Sequence, residues 1–204
     1  MQLGAPLALL LTGALASASA PMPELVVCHG FGCRLQETVR LQDWELRALA
    51  GYLGPRAADA ASERLRLSYA LGLMETLVGR HTPTHLDRAG NPWDVRGAGQ
   101  LDCIDESLNA TTYLRLFEAL DWLRWHRVRE RAFRAPLILD QHWSAQIEEL
   151  ASGELWVVDS WPGAHGQPAL VQPTKAWRWK RRAPPLAGVA QTKSTSSNTP
   201  NTIR

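Results

Sequence analysis

Apolar residues recur at helical spacing as far as Leu123 and at strand spacing from Val128 onward, and this change of period constrains the fold more than any other feature. Ahead of it, three helices are expected. Asp43 to Leu53 sets Leu46, Leu49, Ala50 and Leu53 on one face, with Asp43 as its cap and Gly54-Pro55 as its stop. A second helix runs from Asp59 or Ser62 to Val78, with Leu65, Leu67, Leu71, Met74 and Leu77 apolar and Gly79 at its end. Residues 80–100 hold Pro83, Gly90, Pro92, Gly97 and Gly99 and read as a loop. The third helix opens at Asp102, with Asp105 in a carboxylate form of the capping box, and its stripe is Ile104, Leu108, Leu114, Phe117, Leu120 and Leu123. Beyond the change, Val128–Phe133, Pro136–Leu139, His142–Leu150 and Glu154–Ser160 read as strands, with Ala151–Gly153 as a hairpin turn. Helices first and antiparallel strands second mean an α+β domain: N-terminal helices, a helix that carries Cys103, then an antiparallel sheet. A βαβ repeat is excluded.

The 204 residues are enough to bury one core without metals or staples. The two ends differ from the middle. Residues 1–20 hold the apolar run APLALLLTGALASASA, too short to span a bilayer and finished by small residues, which is the pattern of a secretory signal; Pro21 moves the expected cut to follow Ala18. Export to the periplasm or the medium follows, with no membrane anchor. From Lys175 onward there are seven Lys or Arg and no acid, whereas residues 21–174 carry fifteen bases against twenty acids, so the formal charge of +2 joins an acidic domain to a basic tail. Residues 181–204 are rich in Pro, Ser and Thr and read as a disordered tail, leaving 21–180 as the folded domain. The bases beside Trp177 and Trp179 are able to touch nucleic acid or anionic lipid, but two tryptophans closing the core and a solvated tail account for them more simply. No nucleic acid is expected for the domain.

Cysteine usage sharpens the reading. Cys28 and Cys33 bracket HGFG, a short loop whose two glycines allow a disulfide to close after export. A metal site from His29 and the two thiols is the competing assignment, but three candidate ligands without a partner motif make no metal signature. His81 and His85 stand four apart with Asp87 close by, yet Pro83 between them denies the helix that would make them a metal pair. His165 falls in a turn after Asp159. Neither a metal nor a cofactor is expected. Pairing Cys28 with Cys33 leaves Cys103 as an odd thiol, which in an exported chain is either inert in a core or reactive.

Cys103 stands at the first turn of the third helix, where unpaired N–H groups and the helix dipole favour an anion. Asp105 and Glu106 oppose that if they face the sulfur, and capping is expected to hold Asp105 against backbone N–H groups instead. A thiolate catalyst needs a base, and the base needs an orienting group. His142 begins a strand 39 residues downstream, and Asp159 ends the next strand after 17 more. The segments LDCIDESLNATTYLRL, DQHWSAQIEE and LWVVDSW resemble the three motif blocks of the bacterial transglutaminase-like cysteine peptidases, within the papain-like superfamily. They are also similar to an uncharacterised group of exported bacterial proteins with a Cys-x4-Cys start and the words DCIDES and VDSW. The likeness covers residues 101–161 and implies a papain-like fold with Cys103 as nucleophile, His142 as base and acid, and Asp159 as orienting group. It implies a peptide or protein amide as substrate, with the backbone N–H of Cys103 and the side-chain amide of Gln100 as oxyanion donors and Trp161 covering the His–Asp bond. The function expected is an exported thiol-dependent hydrolase or acyltransferase; the alternative is an inactive domain of the same fold that binds peptide or cell-envelope material. A two-residue turn at Ser152-Gly153 would set Asp159 opposite Gln146, too far along the strand from His142. The triad therefore predicts a wider loop, from about Glu149 to Gly153 with a bulge, that sets Asp159 opposite His142.

Overall fold

The chain enters through an antiparallel hairpin, β1 (Leu25–His29) and β2 (Leu35–Val39), in which Leu25 faces Val39 and His29 faces Leu35. The computed structural model describes residues 24–54, 57–90, 97–136 and 141–179. The segments read as signal and tail lie outside them. The hairpin has no counterpart in the sequence reading, because β2 is exposed except at Val39 and shows no apolar alternation. Its turn is held by chemistry more than by burial. Gly30, Phe31, Gly32 and Cys33 all have positive φ, from 55 to 80°, and a side chain makes that conformation cost roughly 1–2 kcal/mol per residue. The Cys28–Cys33 disulfide closes the turn. The Arg34 guanidinium donates to the carbonyls of Gly30 and Phe31 across it.

Two helices follow, α1 (Asp43–Leu53) and α2 (Ala60–Val78), at the boundaries the apolar spacing predicts. The cap of α1 is a correction: Gln42 takes that position and Asp43 is the first helical residue, because the Glu45 carboxylate accepts the Gln42 N–H at 2.8 Å. Asp59 caps α2 by accepting from the Ser62 N–H at 2.7 Å. After a 3-10 turn at Pro83–Leu86 and the glycine-bearing loop, α3 (Cys103–Ala119) begins. The chain then forms a four-stranded antiparallel sheet of β3 (His126–Arg134), β4 (His142–Glu149), β5 (Leu155–Asp159) and β6 (Leu170–Pro173), in that order, and continues into α4 (Thr174–Arg178). Leu120 and Leu123, read as the end of the third helix, lie beyond it and still pack on the core. The strand read at Pro136–Leu139 lies outside the described residues except for Pro136.

Helix α3 is central. Tyr113, Leu114 and Phe117 are fully buried among β1, α2 and one face of the sheet, where Val128, Ala145, Ile147 and Val158 point. Truncating Phe117 to Ala would cost about 3–5 kcal/mol. The opposite face carries Ala132, Val157 and Trp177 under α4. A buried polar network fixes α2 to the sheet. Glu63 accepts the N–H groups of Arg124 and Trp125 and the ring N–H of His126 at 2.8–3.0 Å, while Arg64 donates to His126 and Glu149 and lies 3.7 Å over the Trp156 ring. Among the described residues no helix is long and apolar enough to cross a membrane.

Candidate active site

Polar side chains crowd the first two turns of α3, and the buried Asp105, Glu106 and Asn109 each hold a different segment. Asp102 caps the helix, one carboxylate oxygen accepting from the N–H groups of Ile104 and Asp105 at 3.0 Å. Asp105 reaches back to accept the N–H groups of Phe31, at 2.8 Å, and Cys33 in the left-handed turn. Burial and the Asp102 charge push its carboxyl up to about 6, against the pull of those N–H groups. Glu106 accepts the Ser160 hydroxyl at 2.6 Å. Asn109 exchanges both hydrogen bonds with the backbone of Cys28, at 2.7 and 2.8 Å. The acids that flank Cys103 in sequence are thus committed to other partners. What remains beside the sulfur is a partly exposed thiol at the first helical residue, whose own N–H has no intrahelical acceptor.

His142 opens β4 and Asp159 closes β5. The β4–β5 turn is a four-residue loop, Leu150–Gly153, in which the Glu149 N–H donates to the Glu154 carbonyl at 2.9 Å and Gly153 supplies a φ of 71°. Ala145 faces Val158, so the register carries Asp159 opposite Ser144 and two residues from His142. The loop is wider than two residues, yet the direct opposition predicted from the sequence does not occur. A diagonal pair on one face lies within reach of two long side chains, and the His142 Nε2–H donates to Asp159 Oδ2 at 2.8 Å. With Nε2 on the carboxylate, the other ring nitrogen is left for Cys103, whose interaction helps to raise the ring's pKa. Burial opposes charge on the ring, but the bond and charge of Asp159, with those of Cys103, raise the imidazolium to about 9.

Two tryptophans enclose this pair. The Trp161 ring stands 4.9 Å from the imidazole, as expected for a cover. Trp177, fully buried on α4 and 5.5 Å from the same ring, donates its indole N–H to Asp159 Oδ2 at 2.9 Å. The sequence reading gave Trp177 only a core role. Its hydrogen bond had no local signal, since it joins residues 18 apart through a helix of five residues. Arg134, opposite His142 on β3, donates to the Trp177 carbonyl at 2.9 Å.

Gln100 is placed differently from its expected part. Its side-chain nitrogen donates to the Leu86 carbonyl at 2.6 Å and its own carbonyl accepts the Gly30 N–H at 2.8 Å, so it braces the connecting loop against the disulfide turn. Gly99 beside it has φ 85°, and a Cβ there would collide with the Pro83 carbonyl. The remaining histidines serve elsewhere. His81 donates to the buried Glu45, His85 lies between the carbonyls of Gly79 and Thr82, and His29 accepts the Gly99 N–H. Among the described residues no group of three or more His, Cys, Asp or Glu is set to hold a metal ion. A groove of about 760 Å³ bounded by Phe133, Arg134, Leu155, Lys175 and Trp179 includes none of Cys103, His142 or Asp159.

Compared with protein-family models, with curated proteins and with solved structures, the chain finds no match. The site is therefore judged on its geometry. A thiol at a helix N-terminus, a ring bound to a buried carboxylate and interacting with that thiol, and a fixed indole donor can together support nucleophilic attack and proton transfer at one carbonyl.

Proposed function

We propose that the protein is an exported thiol-dependent enzyme of the papain-like, transglutaminase-like type, cleaving or transferring amide bonds through Cys103, His142 and Asp159. The observation that carries the proposal is the buried His142–Asp159 hydrogen bond, with Cys103 acting on the same imidazole. The Cys103 proton passes to the free nitrogen of His142 while the Nε2–H stays on Asp159. The thiolate attacks the amide carbonyl carbon, a C–S bond forms, the carbonyl π pair moves to oxygen, and the resulting oxyanion accepts a hydrogen bond from the Cys103 N–H. The C–N bond then breaks, the departing amine takes the imidazolium proton, and a thioester remains. Water, deprotonated by His142, adds to the thioester, the C–S bond breaks with its electron pair returning to Cys103 as thiolate, and a carboxylic acid is released, making the protein a peptidase or amidase. An amine in place of water gives a new amide by the same expulsion and makes it an acyltransferase. A ring that holds its proton up to about 9 is charged at neutral pH and able to serve as the acid. The disulfide and the apolar N-terminal run support an exported setting.

An active ester tests the chemistry without knowledge of the substrate. With p-nitrophenyl acetate, Cys103 is expected to take up the acetyl group in a burst followed by turnover, with acylation slowed by about 10²-fold or more in His142→Ala. Acylation no faster than that of a free thiol, and unaltered in His142→Ala, would leave a domain of this fold that binds peptide or cell-envelope material.

A further inference from the structure

We infer that Arg131 is a recognition residue beside Cys103, binding a carboxylate that the substrate carries next to its scissile amide. The inference rests on the proposed thiol chemistry and names a substrate class for it. Arg131 reaches the site only because β3 breaks register. Arg129 faces Gln146, whereas Ala132 faces Ser144, so Glu130 and Arg131 share Ala145 as their opposite residue. Unbroken alternation would put Arg131 on the face of Gln146 and Trp177, away from α3. The extra residue returns it to the α3 side, a use of bulges common beside active sites.

There its guanidinium donates to the Ser107 hydroxyl at 2.9 Å, one helical turn beyond Cys103, and lies 4.7 Å over the Trp143 ring. Against the effect of burial, the charges of Cys103 and Glu130 both raise its pKa. The other cations of β3 are engaged: Arg127 and Arg129 both pair with Glu148. Glu130 extends into solvent, with its side chain 99% exposed, and approaches Arg115. Among the described residues no carboxylate lies within salt-bridge distance of Arg131. Burial lowers its pKa, so a partly desolvated cation with a planar fork of donors stands one helical turn from the nucleophile's position on α3, with one donor committed to Ser107. A carboxylate is the anion whose geometry matches that fork.

Two alkylating reagents test this on the folded, disulfide-intact protein. Iodoacetate and iodoacetamide attack the same sulfur and differ by one negative charge, so the ratio of their rates cancels any change in the thiolate itself. The ratio, referred to a small free thiol, is expected to be high in the wild type, to fall by about tenfold in Arg131→Gln and to be largely kept in Arg131→Lys. Added salt is expected to lower it. An Arg131→Gln ratio equal to that of the wild type, with iodoacetamide still reacting fast below neutral pH, would overturn the carboxylate site and leave the Cys103–His142 chemistry standing. Iodoacetamide reacting in the wild type with the profile of an ordinary thiol would overturn both.

Discussion

At the residue scale the account turns on His142. Its imidazolium is raised from 6.5 to about 9, so the stability it contributes is complete below about 6.5 and is lost as pH climbs through about 9. Catalysis should share that limb, because the acid that protonates the leaving amine disappears with it. A pH profile of acylation by a peptide anilide, whose amine must be protonated to leave, is expected to decline with an apparent pKa near 9. Asp159→Asn removes the negative charge that faces the His142 ring and the Trp177 indole and leaves one neutral acceptor oxygen; its turnover should fall by about 10²-fold or more, and the alkaline limb should move to lower pH. An unchanged profile in that variant would separate Asp159 from the reaction. Trp177→Phe keeps the bulk and loses one donor, and a net hydrogen bond of about 1 kcal/mol corresponds to roughly a fivefold loss of rate. Cys103, His142 and Asp159 were readable in the sequence from chain order and local words. Arg131 and Trp177 were not: the first depends on a bulge and the second on a long-range bond, and neither leaves a periodic trace.

At the scale of elements, the disulfide turn and the start of α3 form one unit. Asp105 accepts two N–H groups of a turn in which four successive residues are left-handed, and Asn109 holds the strand before it. Opening the five-residue separation by Cys33→Ser should cost about 2 kcal/mol from loop closure. For a chain of this size that lowers the melting temperature by about 2–4 °C per kcal/mol. Asp105→Ala strands the turn's donors as well, and because the two changes touch one unit, the double variant should lose less than the sum of the singles in a thermal melt. Additive losses would argue that turn and helix are independent. Helices α1 to α3 were legible because each runs about three turns or more, and α2 and α3 also begin at an Asp cap. The hairpin, β6 and α4 span only four or five residues each, too few for a period to register, and they are held by partners distant in the chain.

Across the whole molecule, the change of apolar period near residue 124 was enough to indicate an α+β class, while the sheet order and register came from side chains meeting across the fold. Buried acids leave a mark at this scale too. Burial pushes Glu75 and Glu106 up, and the Glu75 charge adds to the rise at Glu106; the Gly166 N–H on Glu75 and the Ser160 hydroxyl on Glu106 oppose it, and Asp87 adds repulsion to both. A carboxyl whose folded pKa is raised gives its full stability below its unfolded value near 4.5 and loses it as pH rises. The wild type should therefore lose melting temperature from pH 5 to pH 8 relative to Glu106→Gln. Equal slopes in the two proteins would show that Glu106 is already ionised throughout.

The central claim is the thiol–imidazole pair, and the most direct measurement is the rate of iodoacetamide alkylation at Cys103 against pH, followed by mass spectrometry in the wild type and in His142→Ala. Fast labelling below pH 7 that collapses in the variant is the predicted result. Slow labelling that follows an ordinary thiol titration and ignores the substitution would contradict it.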